Sequence, residues 1–306
     1  MGALVKHRTT EKLHDRAGGM DRLALDELAQ ILASGQREAA GAAEVAASQI
    51  ASASKAMAET ISSGGVLRYT AAGSSGLMAA ADAMELGGTF SIPSSQVRIH
   101  MAGGLPTSAE MPGGTEDDTR QIRDEFADIA ARDTVIAVSA SGSTPFTNEA
   151  ARLARAAGAA VIGIANNDGA ELLALSDFSI LLPTPPELVS GSTRMGAGTA
   201  QKIALNMLST LMAVQLGHVY DGMMVNLTAD NIKLRARARM IVSTIAEVDE
   251  DAAADAIERA QGEVKAAILI ACGVADLSEA RAHLNSSKGH LRPLLDKIKN
   301  NSRNNN

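Results

Sequence analysis

The chain has 306 residues, a formal net charge of −7 and 46% apolar residues, enough to bury one large core or two smaller ones. That charge, with no Trp, two Tyr and four Phe, excludes a basic, aromatic surface for nucleic acid. A single cysteine, Cys272, excludes an internal disulfide framework, and no apolar run approaches the roughly 18 residues that cross a bilayer.

The N-terminus, MGALVKHRTTEK, carries no apolar segment long enough for a secretory signal, so a soluble cytoplasmic protein is expected. Residues 1–54 are alanine-rich, with Leu23, Leu25, Leu28 and Ile31 at helical spacing, and predict a helical arm of one or two helices. From Val66 to Pro183 the pattern changes to five short β-rich runs, VLRYTA, QVRIHMA, DTVIAVSA, AAVIGIAN and DFSILLP, separated by helical segments. Such alternation predicts an α/β fold, a doubly wound five-stranded parallel sheet with right-handed crossovers and helices on both faces. AGSSG follows the first strand, ASGST the third and VSGST the last, so these Ser/Gly turns are expected to converge outside the carboxyl ends of the strands. A dinucleotide site is excluded, because no G-x-G-x-x-G follows the first strand and no acid ends the second.

The stretch from Val189 to Leu216 joins a glycine- and hydroxyl-rich loop to a long helix with Ile203, Met207 and Leu211 on its apolar stripe. Gly217 is a left-handed stop. Ser192, Thr193 and the glycines around them face the helix N-terminus, where the macrodipole favours an anion such as phosphate. With Arg194 they form a candidate substrate-binding loop. Beyond Met240 the composition predicts short helices around 244–258, 260–272 and 276–284, a last segment HLRPLLDKI, and a disordered tail over 300–306. The domain reading is an arm over 1–54, a central α/β sheet domain over 55–242 and a helical subdomain over 243–299.

Ser74, Ser75, Ser139, Ser141 and Thr144 supply hydroxyl and amide donors of the kind that surround a phosphate dianion. Each can equally cap the helix it precedes, and the two roles are compatible. Glu85, which on its residues alone reads as an ordinary exposed helix position, is placed in the last turn of a helix starting near Gly76 and ending at Gly87-Gly88, where the negative dipole end disfavours a carboxylate charge and suits a general acid. Glu116, behind a capping Thr115, is placed in a first helical turn, where the ionised form of a base is favoured. Acids in a first turn are also simply good helix chemistry. The six His and one Cys show no metal-ligand spacing; His218 reads as a surface or interface residue and Cys272 as a buried structural thiol.

The run GSTRMGAGTAQKIALNMLSTLMAVQLGHVYDGMMVNLTADNIKLRARARMIV resembles the signature of the N-acetylmuramic acid 6-phosphate etherases, within the sugar isomerase (SIS) group of phosphosugar-binding proteins. AGSSG, DAMELGGTF, MAGG, TEDD, SASGSTPF and ELVSGSTRM follow in family order, so the resemblance covers about residues 10–295. It implies a SIS-type fold, a homodimer, no metal and no organic cofactor. It implies that Ser75, Ser139, Ser141 and Thr144 contact the phosphate and that Glu85 and Glu116 are the two essential glutamates, acid and base respectively. The implied reaction removes D-lactate from C3 of N-acetylmuramic acid 6-phosphate.

The family pattern reads SGR, ECPP, AGGE, ASGRTPY and RMKAGT where this chain has Leu77, Leu86-Gly87-Gly88, Leu105, Ser143 with Phe146, and Gly196. The changes at Leu77, Ser143 and Gly196 each remove a cation, which leaves Arg68, Arg194 and Lys202 to hold an anion. Two further readings stay open: a lyase or isomerase acting on another amino-sugar phosphate, and a non-catalytic phosphosugar sensor. Retention of both glutamates favours chemistry over sensing.

Overall fold

A computed structural model describes residues 8–111, 113–227 and 232–304. The chain forms two compact units, Met1–Met84 with Ser94–Ser209, and Glu85–Pro93 with Thr210–Asn306.

The first unit begins with two single-turn helices, Thr9–Glu11 and Met20–Arg22, ahead of α1 (Leu25–Val45) and α2 (Ala47–Ser62). α2 continues past position 54 and buries Ile50, Ala53 and Met57 completely. Five strands follow, β1 (Leu67–Ala71), β2 (Val97–Met101), β3 (Thr134–Val138), β4 (Ala160–Ala165) and β5 (Phe178–Leu181). They pair in the order β2-β1-β3-β4-β5, every pair parallel. All five expected runs become strands because each is a short apolar, β-branched segment closed by a Gly or Ser turn. β1 and β3 are buried at every position, as central parallel strands covered on both faces should be; the edge strands β2 and β5 each leave one residue exposed.

Side-chain alternation divides the two faces. Val135, Ala137 and Val161 pack with Phe146, Ala150 and Ala154 of α5 (Pro145–Ala156) and with Ile122 of α4 (Arg120–Glu125). On the opposite face the Thr134 hydroxyl meets that of Thr60 on α2 at 2.7 Å. Helices therefore cover both sides of the sheet. A buried network completes this core: the Tyr69 hydroxyl donates to Asp82 at 2.9 Å, and the Ser209 hydroxyl donates to the other Asp82 oxygen at 2.9 Å.

α3 (Gly73–Phe90) differs from expectation at both ends. It begins three residues earlier than Gly76 and runs through Gly87-Gly88, because glycine in a helix costs only about 1 kcal/mol and does not force a stop. The stop is Ser91, in the left-handed region at φ 53°, whose N–H bonds the Gly87 carbonyl at 2.9 Å. α6 (Glu171–Ala174) precedes β5, and α7 (Gly196–Gln215) is the long helix of the glycine-rich stretch. Gly217 ends it at φ 68°, as expected.

In the second unit a two-residue hairpin, β6 (Val219–Tyr220) and β7 (Met223–Met224), is followed by α8 (Ile232–Ala246), α9 (Glu250–Arg259), α10 (Val264–Ala271), α11 (Leu277–Ser286) and α12 (Arg292–Asn304). Their core includes Ile241, Val242, Ala267, Ile268 and Leu269. The single helix expected over 244–258 is two: Glu247 turns left-handed at φ 58°, and the Asp249 carboxylate caps α9 by accepting the Ala252 N–H at 2.8 Å. α12 extends through 300–304, part of the segment read as a disordered tail, since adding residues to a formed helix is far easier than nucleating one. The last two tail residues lie outside the described residues. Among the described residues no helix is long and apolar enough to cross a membrane.

Candidate functional site

The strand order reverses between β1 and β3, so the crevice outside their carboxyl ends is the switch point where ligands bind in such sheets. Register pairs Ala71 with Val138, which sets the turns after these two strands side by side. After β1 the chain enters α3 at once, and Ser74 and Ser75 occupy its first turn. Ala72 stands before the helix and accepts the Gly76 N–H at 3.0 Å. Among the described residues neither serine hydroxyl bonds to another group. The turn is close-packed, for a Cβ on Gly76 would come within 2.9 Å of the Met101 side chain.

After β3 the hydroxyls form a cluster. The Ser139 hydroxyl meets that of Thr144 at 2.8 Å and that of Ser141 at 3.3 Å, and accepts the Gly142 N–H at 3.0 Å. Ser141 accepts from the Ser143 N–H at 3.2 Å and the Ser143 hydroxyl at 3.1 Å. Thr144 sits at the N-cap of α5 but makes no side-chain cap; its hydroxyl turns to Ser139 instead. Gly142 is required here: its φ is 64°, and a Cβ would lie 2.4 Å from that of Ala170.

Glu116 is brought to this cluster by its backbone. Its carbonyl accepts the Phe146 N–H, in the first turn of α5, at 3.0 Å, and its side chain is exposed. The expected first helical turn is absent: Glu116 and Asp117 form a turn closed by Asp118 N–H to Thr115 carbonyl at 3.2 Å, and α4 starts only at Arg120. Asp118 binds Arg120, which holds its carboxyl down at about 2. Charges drawn into this local pair leave the peptide in a turn rather than a helix.

Glu85 belongs to the second unit, is exposed, and stands five residues before the end of α3. It is therefore not in the last turn, where the sequence reading put it.

The N-terminus of α7 corrects a second expectation. The anion there is the chain's own Glu187, a buried carboxylate whose two oxygens accept the Gly196 and Ala197 N–H groups at 2.9 Å each. No room is left for a phosphate on those amides. Ser192 and Thr193 form the tight turn before the helix, and Arg194 and Lys202 are exposed; no hydrogen bond among the described residues joins them to the Ser139 cluster. Arg68 is removed from the anion-holding set, because it is 1% exposed and bound to Asp133 and Asp128, both at 2.9 Å. Ionic pairing inside the sheet has consumed it.

Sequence reasoning missed Glu187 and Arg8. The Arg8 guanidinium donates to the Ser143 hydroxyl at 2.7 Å. It lines a cavity of about 390 Å³ with Ser141, Ser143 and Asn167. A larger cavity, about 710 Å³, lies in the helical unit around Lys265, Asn285 and Lys288 and contains none of the expected site residues. Lys265 donates there to the carbonyls of Gly217 and Gly289, and burial holds its pKa down to about 8. His218 is half-buried: burial, then the nearby Lys265 charge, bring its pKa down to about 4, and among the described residues its Nδ1 is a buried atom without a partner. Among the described residues no three His, Cys, Asp or Glu are grouped to hold a metal ion. Cys272 is half-buried, and burial pushes its thiol up, as befits a structural residue.

Residues 32–166 match the SIS domain family. An N-acetylmuramic acid 6-phosphate etherase of Deinococcus radiodurans is 43% identical over 290 residues, 94% of this chain and 95% of that one. Etherases so named from Streptomyces avermitilis and a Geobacillus species are 38% and 34% identical, covering 94% and 95% of this chain and 93% and 100% of theirs.

Proposed function

We propose that this chain, which belongs to the N-acetylmuramic acid 6-phosphate etherase family, cleaves the D-lactyl ether of N-acetylmuramic acid 6-phosphate. Base removes the C2 proton, the C3–O bond breaks as acid protonates the departing oxygen, and D-lactate leaves. Water then adds across the C2–C3 double bond, hydroxyl to C3 and hydrogen to C2, giving N-acetylglucosamine 6-phosphate. Ser74, Ser75, Ser139, Ser141 and Thr144 cradle the phosphate, Glu116 is the base and Glu85 the acid; Ser192, Thr193 and Arg194 complete the substrate loop from outside the hydroxyl cluster.

The observation that carries this reading is the Glu116 carbonyl bond to Phe146, which fixes a carboxylate-bearing turn onto the helix headed by the hydroxyl cluster. General acid–base groups contribute about 10² to 10⁴ in rate, which two positioned carboxylates supply without a metal or organic cofactor. We further propose a cytoplasmic homodimer, an arm over 1–54, a phosphosugar-binding domain over 55–242 and a helical subdomain over 243–299. Enzymatic detection of D-lactate from N-acetylmuramic acid 6-phosphate tests the activity; turnover of another phosphosugar without lactate release would assign a different lyase or isomerase. Light scattering at micromolar concentration tests the dimer, and a monomer mass would remove it.

A further inference from the structure

We infer that Arg8, from the N-terminal segment, is a phosphate-binding residue that supplies the cation position 143 lacks. This rests on the phosphosugar reading of the Ser139 cluster. The family pattern places arginine at the fourth position of ASGRTPY, where this chain has Ser143. Arg8 brings a guanidinium to that same side chain, 2.7 Å from its hydroxyl oxygen, from 135 residues away in sequence.

The hydrogen bonds form a chain that starts at the guanidinium. Arg8 donates to Ser143, and Ser143 donates to Ser141, which meets Ser139. A guanidinium at the head of such a chain polarises the hydroxyls in turn and strengthens, as a donor to an anion, the one whose O–H is left at its far end. Guanidinium has five N–H donors, and one is used here. Among the described residues Arg8 forms no ion pair, and it is the one cation lining the 390 Å³ cavity. Two carboxylates also line it, and both are engaged. Glu171 binds Arg152 and accepts from Asn148 at 3.0 Å, and Asp168 accepts the Gly169 N–H at 2.8 Å.

Arg8 is not needed to hold the segment in place. Thr10 is buried against Asn167: the Thr10 N–H donates to Asn167 Oδ1 at 3.3 Å, and Asn167 Nδ2 donates to Thr10 Oγ1 at 3.0 Å. Asn167 Nδ2 also lies 3.2 Å from the carbonyl of Ala140, between Ser139 and Ser141. This clamp seats the segment on the cluster and leaves the guanidinium free to meet a ligand.

The test measures binding of N-acetylglucosamine 6-phosphate and of N-acetylglucosamine by calorimetry to the full chain and to R8A, R8A/S143R and S141A, with limited trypsin cleavage of each to report docking of the N-terminal segment. R8A is expected to weaken the phosphorylated sugar about tenfold to a hundredfold, the range for a hydrogen bond to a charged group, and to leave the free sugar unchanged. R8A/S143R is expected to recover most of that loss, with cleavage after Lys12 and Arg16, sites common to every variant, as slow as in the parent throughout. If S141A weakens phosphate binding and R8A does not, the cluster binds phosphate and the role of Arg8 is wrong. If neither variant changes it, or the parent does not prefer the phosphorylated sugar, the site reading fails and this inference with it. If R8A exposes the segment to trypsin and S143R restores nothing, Arg8 is an anchor and the inference is overturned.

Discussion

The backbone carbonyl of Glu116 accepts the amide hydrogen of Phe146 at 3.0 Å, across 30 residues of sequence, and so places the turn carrying the proposed base against the first turn of α5. The same helix terminus is flanked by the hydroxyls of Ser139, Ser141 and Thr144. One bond of backbone to backbone thus links the candidate base to the candidate phosphate cradle, whatever side chain position 116 carries.

Because that link is through the backbone, Glu116→Gln is expected to keep the fold and abolish both lactate release and exchange of the C2 hydrogen with deuterated water, a loss of about 10² to 10⁴. Glu85→Gln is expected to slow lactate departure by a similar factor while sparing C2 exchange. Mass spectrometry of product formed in deuterated water separates the two. Parental turnover in both variants would remove the glutamates from the mechanism.

Ser141 joins Ser143 to Ser139 in the hydroxyl chain. Ser141→Ala is expected to weaken binding of 6-phosphosugars by about 1 to 2 kcal/mol, with little change for unphosphorylated sugars. Equal affinity of the parent for both forms would mean that the cluster only stabilises the turn.

Glu187 satisfies two first-turn amides of α7. Glu187→Ala is expected to destabilise the chain by about 2 to 4 kcal/mol in urea denaturation, with Glu187→Gln intermediate because one acceptor remains. Sulfate should restore part of the stability of the alanine variant by occupying the vacated anion position. An unchanged urea midpoint in both would show that the helix start does not depend on the carboxylate.

The pH dependence of stability follows from His218. Its folded pKa of about 4 lies below the ordinary 6.5, so above pH 6.5 both states are neutral and no penalty exists. As pH falls from 6.5 to about 4 the unfolded chain takes the proton first, and stability declines by about 3 kcal/mol in total. Below that the folded state protonates too and the decline stops. Urea midpoints at pH 7.5 and 4.5 should differ less in His218→Gln than in the parent. His100, whose pKa burial also lowers, keeps a residual slope in the variant. Identical slopes would assign the acid sensitivity to other groups.

Much of the architecture was legible in the sequence. The five strands lie where short apolar runs meet Ser/Gly turns, and Gly217 ends α7, because strand periodicity, turn chemistry and glycine's left-handed freedom are properties of a few adjacent residues. Ser139, Ser141 and Thr144 come together for the same reason, being within six positions of one another. What only the tertiary structure decided were partnerships whose two members are remote or compete with a local alternative. Gly87-Gly88 looked like a stop, but Ser91 took the left-handed position, and the Ser91 hydroxyl donates to the carbonyl of Asn226 at 2.5 Å. Arg68 looked like a free cation until the sheet set it beside Asp133 and Asp128. The N-terminus of α7 looked like a phosphate seat until Glu187 reached its amides, and Ser143 looked like a lost cation until Arg8 arrived from the arm. A helix terminus attracts any anion and a hydroxyl accepts from any donor, so composition determines that such a site is filled, and only the folded chain determines by which residue.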